Sequence, residues 1–533
     1  MASVQYSEKL KNIYWLVFFV IAFTAIAIQL GTDATPDFKI AHHYLGYAFL
    51  NNRQSIDISP VGFQSNFYYG VDVVYYLLIT KLNNHPNIIN IILSLPYAIC
   101  AFCVFLLARQ FVEVSGWGRN LVAASAGVLG LTGASALPTL ATSMTDILPG
   151  LPYVVALTFW LWFEIHKRNT LQTSSCAGFV AGLSVGMKLT QAPLFVALFI
   201  TIAIRQFLGN RNAWKEAFLF GIFGVIAFSM LSGHWLWSNY ASTGNPFFPI
   251  MNNIFKSDLV AHGAFADTRF FPRTWKMELF YPAYWTFLAS HFAIELNMRD
   301  ARVFVGLLSA VAIILAFVLR RSFGKACVRD EPLRLAGFYL AVVYVVSYLF
   351  WLKIWSIYRY LAIQECLSAV MLLAALRELA GRYVLVRHRV AIYAALAVTI
   401  AATTQYPWWS RAQPAPVAVQ VRLPTLEPDA MMLVLDMYAH GYVFPYLTPS
   451  VPIVGARTNL SGPGSAGQLQ VRIETAIKSH KGPLWGIDFP QGFPGMADEA
   501  LAGYGLRRGS ECSMVETNIE NKPTIRICRL ERQ

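Results

Sequence analysis

Apolar stretches long enough to cross a bilayer recur along this chain, and they leave it little choice of fold. A hydrocarbon layer about 30 Å thick is spanned by about 20 apolar residues of helix. Eleven segments fit that reading: 13–30, 88–109, 120–137, 147–164, 174–187, 189–205, 214–232, 303–319, 336–352, 357–376 and 388–405. The fifth and sixth are short, and they read as a broken pair packed inside the bundle, where irregular backbone is tolerated. Charged residues make up 13% of the 533, about half of the roughly 25% usual in a soluble domain. Too little charge remains to cover soluble domains of this length. The disordered and collagenous classes are excluded as well.

The net charge of +13, from 42 Lys+Arg against 29 Asp+Glu, would suit a nucleic-acid binder. Its distribution argues against one. Residues 407–533 hold 12 Lys+Arg and 11 Asp+Glu, a net of +1. The excess lies in short runs between apolar segments: Lys9/Lys11, Arg109/Arg119, Lys167/Arg168, Arg205/Arg211/Lys215, Arg320/Arg321/Lys325/Arg329/Arg334 and Arg377/Arg382/Arg387/Arg389. With the spans above, all six fall on one side, which the positive-inside rule makes cytoplasmic. The expected topology is an inner or plasma membrane protein with its N-terminus in the cytoplasm and its C-terminus outside. Ala25-Ile26-Ala27 has the small-x-small pattern of a signal cleavage site, but the apolar run before it is longer than a signal core. Residues 71–82 are too short to span and would invert every later loop. They read as an interfacial helix on the outer leaflet, anchored by Tyr75, Tyr76 and Lys81.

The predicted architecture is therefore an all-α membrane bundle over 1–406 and a small extracytoplasmic α/β domain over 407–533. Outer loops fall at 31–87, 138–146 and 233–302. In the tail, a Pro-rich linker from Pro407 to Pro428 leads to strands at 431–437, 451–456, 483–489 and 524–530 and a helix at 466–479. GPGSAGQ (462–468) matches the dinucleotide pattern GxGxxG but reads better as a Gly/Pro turn capping that helix. Cys100 and Cys103 form a CxxC on an apolar helix and read as two small buried side chains. Cys512 and Cys528 are the only pair in the tail, and an oxidising compartment would join them in a disulfide.

The first outer loop is the richest in reactive groups. Asp33 and Asp37 follow the first span directly, at the membrane–water boundary, where a carboxylate meets the headgroup of a lipid-linked substrate. An α-helix from Asp37 would put Ala41 and Tyr44 on its face, with His43 nearby. A carboxylate there is suited to act as general base, and a His or Arg to pair with phosphate. Asp146, the one acid of the second outer loop, reads either as an N-cap or as a second acid facing Asp37. In the third loop, Arg269, Arg273 and Lys276 stand among aromatics, suited to covering a donor or meeting an acceptor, or to an interfacial lid.

These features together resemble the GT-C superfamily of polytopic glycosyltransferases, which use polyprenyl-phosphate sugars. The resemblance rests on a first span, a loop carrying D-x4-H-H-Y-x3-A-x-L-x2-R from Asp37 to Arg53, and a short second loop ending in Asp146. GLSVGMKLTQAP (182–193), SNYASTGNPFFPIMNNIFKS (238–257) and YRYLAIQECLSAVMLL (358–373) extend it over roughly residues 10–405. It implies an inverting transfer from a lipid-linked donor to a glycan, lipid or protein acceptor on the outer face, with membrane lipid as the other partner and no nucleic acid. Asp37, or Asp33 as second choice, would be the base, and Asp146 the second acid. Lys188 and Arg359, with His43, would hold the donor phosphate. No cofactor or metal ligand set is implied with certainty, and a divalent ion stays open. The chain departs from the family in carrying Asp-Phe at 37–38 where many relatives carry Asp-Glu, which leaves the identity of the base open. An O-antigen polymerase or ligase would invest instead in a late Arg-rich loop. A transporter would show internal symmetry and charges buried mid-span.

Overall fold

The computed structural model describes all residues except 1, 169, 323–331, 381–383 and 439, and of 2–10 only the backbone is described. Lys9, Lys325, Arg329 and Arg382 of the basic runs therefore lie outside the described residues or side chains.

Each of the eleven apolar segments is a helix. The chain runs through α1 (Ala2–Leu30), α2 (His43–Leu50), α3 (Gly70–Leu82), α4 (Pro86–Phe111), α5 (Gly116–Leu131), α6 (Ile147–Ile165), α7 (Leu171–Met187), α8 (Ala192–Ile204) and α9 (Ala213–Thr243). The short helices α10 (Asn252–Phe255), α11 (Trp275–Leu279) and α12 (Tyr281–Phe287) follow, then α13 (Arg302–Ser322), α14 (Pro332–Ile354), α15 (Ala362–Ala380) and α16 (Val386–Thr403). Among the described residues, eight of these helical segments are long and apolar enough to cross a membrane. The chain is an integral membrane protein on that basis. Helices α5, with 16 residues, and α7, with 17, are shorter.

The expected broken pair is instead a hairpin of two separate helices. Extended backbone at Lys188 ends α7, and a single turn over 189–191 starts α8. Glycines explain how a short helix without an amphipathic stripe is held. A Cβ on Gly178 would lie 2.2 Å from the Phe220 carbonyl oxygen, and one on Gly182 2.2 Å from that of Gly224. The α7 and α9 backbones thus touch, as in membrane helix pairs joined by small residues.

The basic residues gather at one end of the bundle: Arg320 and Arg334 bind Glu378, Arg377 and Arg389 bind Glu113, and Arg205 binds Glu164 and Glu216. The loops and the tail gather at the other. There β1 (Thr32–Asp33) pairs antiparallel with β2 (Arg411–Ala412). Past β3 (Val421–Arg422), the tail forms a five-stranded sheet from β4 (Met431–Val434), β5 (Ile453–Val454), β6 (Leu484–Asp488), β7 (Leu506–Met514) and β9 (Arg526–Arg532), in the order β5-β4-β6-β9-β7. The short β8 (Glu516–Thr517) pairs with β3 instead. Strand β4 is parallel to both its neighbours, while β9 is antiparallel to β6 and β7. Helices α17 (Gln468–Ser479) and α18 (Met496–Gly503) complete the domain.

All four expected strands are present. Strand β7, the mostly exposed partner of β9 in the final hairpin, is additional to these four, and its pairing is irregular between Arg508 and Cys512. Cys512 and Cys528 are register partners joined by a disulfide, with Cα atoms 4.1 Å apart. The GPGSAGQ turn does precede α17. The first two amides of that helix donate to the Asp258 and Leu259 carbonyls of the third loop, at 2.8 and 2.9 Å. Arg53 also joins loop to tail, since it pairs with Asp57 at 2.6 Å and donates to the Val451 carbonyl.

Packing of α7 on α9 is testable. Gly182→Ala drives a methyl into backbone and should destabilise the protein by about 1–3 kcal/mol, the scale of overpacking. Gly233→Ala, where the nearest atom beyond the helix's own backbone is 3.9 Å away, should be neutral or stabilising. Thermal unfolding of both variants in one detergent checks the contrast.

Candidate functional site

The first loop leaves α1 through β1, where Asp33 is spent at once on structure. Its Oδ1 accepts from the Thr35 amide and hydroxyl at 2.9 and 2.6 Å. Its Oδ2 accepts from the Tyr75 hydroxyl and from the Ser143 amide and hydroxyl, at 2.8, 2.7 and 2.8 Å. Buried and bonded five times, Asp33 ties the first loop to α3 and to the second loop. Tyr75 is accordingly buried rather than an interface anchor, while Val74 and Leu77 form the exposed face of α3.

The next turn changes the register on which the sequence reading rested. Residues Phe38–His42 form a π-helical turn. Bonding of the i→i+5 kind brings residues five apart over one another, so His42, not Ala41, stands by Asp37. The Asp37 Oδ2 to His42 Nε2 distance is 3.9 Å, and His42 Nδ1 lies 2.6 Å from Asp72 Oδ1 on α3. His43 turns inward, fully buried, between the rings of Phe38, Tyr76 and Tyr446. Neither of its ring nitrogens has a hydrogen-bond partner, and burial pushes its pKa down to about 3. His43 is thus neutral and out of reach of a phosphate, which corrects its expected role. The one-residue offset comes from the π turn.

Two ion pairs join the remaining candidates. Arg359 lies in the single turn Tyr358–Leu361 that leads into α15, and its Nη1 is 2.6 Å from Asp37 Oδ2. Lys188, at the α7–α8 turn, puts Nζ 2.6 Å from Asp146 Oδ1. Asp146 holds the N-cap position of α6, but its side chain makes no capping bond and faces the lysine instead. The Tyr360 ring lies under both cations, 5.4 Å from Lys188 Nζ and 5.6 Å from Arg359 Cζ. Trp409 of the tail covers Arg359 at 5.9 Å. The structure therefore brings Asp37, Asp146, Lys188 and Arg359 to one place and adds His42 and Asp72. The side chains of Asp37 and Lys188 are 26% and 28% exposed, against 1% for Asp146 and 9% for Arg359, so each pair has one open and one buried member.

Charge follows from this geometry. Burial opposes ionisation of Asp37, but Arg359 and His42 outweigh it and hold the carboxyl well below the usual range. Burial likewise opposes a charge on His42, yet Asp72 and Asp37 raise its pKa to about 10. At neutral pH the cluster holds an ionised Asp37 beside a protonated His42. Among the described residues, no three or more His, Cys, Asp or Glu side chains converge on a metal position. In the third loop, Arg269 pairs with Asp267, Lys276 lies over Trp275, and α11 and α12 expose Trp275, Phe280 and Phe287.

A second polar group fixes the backbone behind Arg359. Asp300 and Arg302, both fully buried, pair at 2.6 Å. Asp300 accepts from the Ala134 amide at 2.8 Å, and Arg302 donates to the Leu129 and Thr132 carbonyls, each at 2.8 Å. Glu365 accepts from the Ser135 and Ala136 amides at 2.9 and 3.1 Å, and the Ser135 hydroxyl donates to the Arg359 carbonyl at 2.8 Å. The sequence reading missed these residues. The signal available was a charge buried at the edge or inside of an apolar span, which requires a partner.

No protein-family model matches the chain, and no curated protein does either. Among solved structures, ArnT from Cupriavidus metallidurans in the apo state is similar over 97% of this chain and 98% of that one, with 12% identity and a TM-score of 0.48. The same protein bound to undecaprenyl phosphate is similar over the same shares, with 12% identity and a TM-score of 0.44. A likeness this loose assigns no role to any residue here.

Removing one partner of the buried pair leaves a charge unpaired. Asp300→Asn or Arg302→Leu alone should cost about 3–5 kcal/mol, while Asp300→Leu with Arg302→Leu should cost less than the two single losses combined. Thermal unfolding of the three variants measures the coupling.

Proposed function

We propose that this protein is a GT-C-type glycosyltransferase that moves a sugar from a polyprenyl phosphate to an acceptor hydroxyl, at the end of the bundle where the loops and the tail meet. The basic residues at the opposite end support an extracytoplasmic site by the positive-inside rule. The observation that carries the reading is the convergence of two acids and two cations, on four separate segments, at the loop end of an apolar helix bundle. An outer-face enzyme has no nucleotide sugar at hand, so the lipid phosphate serves as both carrier and leaving group.

In the resting state each cation has a carboxylate. A donor phosphodiester offers Arg359 and Lys188 a competing anion, and a guanidinium can grip it through two parallel bonds. As Arg359 turns to the phosphate, Asp37 loses the charge that lowers its pKa and becomes a stronger base. The acceptor oxygen then attacks the anomeric carbon, Asp37 takes its proton, and the bond from that carbon to the phosphate breaks, inverting the centre. Charge builds on the leaving phosphate, where fixed cations act most strongly. Asp146 keeps Lys188 placed, with Nζ 2.6 Å from its Oδ1. The partners are the donor lipid, the surrounding membrane and a glycan, lipid or protein acceptor.

Asp37→Asn should fold and lose about 10²-fold or more in transfer, the scale of general-base loss. Lys188→Ala and Arg359→Ala should weaken binding of polyprenyl phosphate. Full activity of Asp37→Asn with a defined donor would remove the base from this scheme, and unchanged binding in both cation variants would remove the phosphate site.

A further inference from the structure

The transfer step above leaves a proton on Asp37 and a second negative charge on the departing phosphate, and His42 is suited to resolve both. Its ring is fixed by two contacts of different kinds. Nδ1 is bonded to Asp72 at 2.6 Å, which leaves Nε2 toward Asp37, 3.9 Å away. Asp72 is itself held closely, since a Cβ on Gly46 of α2 would lie 2.4 Å from the Asp72 carbonyl oxygen. The helix carrying Asp72 and the helix that continues from His42 are therefore in backbone contact. Asp72 is buried, whereas a quarter of the His42 side chain is open. A carboxylate bonded to one ring nitrogen orients the imidazole so that the other can exchange a proton. The π turn is the local cause: an ordinary helix would carry His42 off the face of Asp37.

We propose that His42 is a further catalytic residue, a proton relay between Asp37 and the leaving phosphate, with Asp72 as its positioning residue. This rests on the glycosyl-transfer reading. The acceptor oxygen bonds to the anomeric carbon, and its proton passes to Asp37. The bond from the anomeric carbon to the phosphate oxygen breaks, and the phosphate takes the Nε2 proton of His42. Asp37 then returns its proton to Nε2. The acceptor's proton ends on the polyprenyl phosphate, which leaves as a monoanion, and both side chains regain their starting states. No oxidant, reductant or further reactant is needed.

The charged groups around His42 are Asp37 at the start of its own turn, Asp72 on α3, and Arg359 beyond Asp37. Asp72 and Asp37 keep the ring protonated through neutral pH, with a pKa of about 10 against the burial that opposes it. The sign follows. Turnover needs protonated His42, so it falls as pH rises through the His42 pKa. Removing the Asp72 charge lowers that pKa and moves the fall to lower pH.

The test is turnover against pH, read as release of polyprenyl phosphate from a panel of polyprenyl-phosphate hexoses and pentoses, in wild-type protein, His42→Gln, His42→Ala and Asp72→Asn. The expected results are a wild-type plateau to about pH 9, a loss of about 10²-fold in His42→Gln, an alkaline fall shifted down by one pH unit or more in Asp72→Asn, and partial rescue of His42→Ala by added imidazole. Wild-type turnover with His42→Gln within threefold at every pH would overturn the relay and leave the transfer reading standing. So would a lowered rate in His42→Gln with no imidazole rescue and an unshifted profile in Asp72→Asn, which would mark a structural role. Absence of wild-type turnover with the whole panel would overturn the transfer reading and the relay with it.

Discussion

A buried carboxylate stays ionised only where a cation or several hydrogen-bond donors face it, and that requirement organises the loop end of this bundle. Asp37 and Asp146 come from the first and second loops. Their partners Arg359 and Lys188 come from two places where helices are interrupted, the turn before α15 and the turn between α7 and α8. A cation inside a regular span would face lipid or lose its water. Placed at an interruption, it reaches the loops, and its charged head rests over the Tyr360 ring.

The rest of this end fixes the backbone from which those four side chains project. Asp33, with five hydrogen bonds, joins the first loop, α3 and the second loop. Asp300, Arg302 and Glu365 fix the 132–136 turn, which in turn holds the Arg359 carbonyl. The tail closes the arrangement. It pairs a strand with Thr32–Asp33, lays Trp409 against Arg359, and binds Lys39 through Glu520 at 2.9 Å. With the backbone fixed before a substrate arrives, little beyond the Arg359 guanidinium has to move, and electrostatic catalysis gains most where little reorganises. An arrangement of this kind suits the proposed work of holding a phosphate and removing one proton.

The helices were legible in the sequence because bilayer thickness dictates both their length and their apolarity. The same constraint marked Asp37, Asp146, Lys188 and Arg359, since a charge beside a span is conspicuous. Residues whose placement depends on local backbone were not legible. A π turn has no sequence signature that separates it from an α-helix, so His43 was favoured over His42, one position away. Tyr75 looked like a membrane anchor because nothing local announces the carboxylate 42 residues earlier that accepts its hydroxyl. In the tail, β7 has no alternating pattern to read, because it is an edge strand, polar and exposed along most of its length.

The most direct measurement is an experimental structure of the full chain with a polyprenyl phosphate bound. The expected result is phosphate density between Lys188 and Arg359 above Tyr360, with the Arg359 guanidinium turned from Asp37 to the phosphate oxygens and His42 still bonded to Asp72. Phosphate bound elsewhere, with both the Asp37–Arg359 and Asp146–Lys188 pairs intact, would contradict the assignment of this cluster as a donor site.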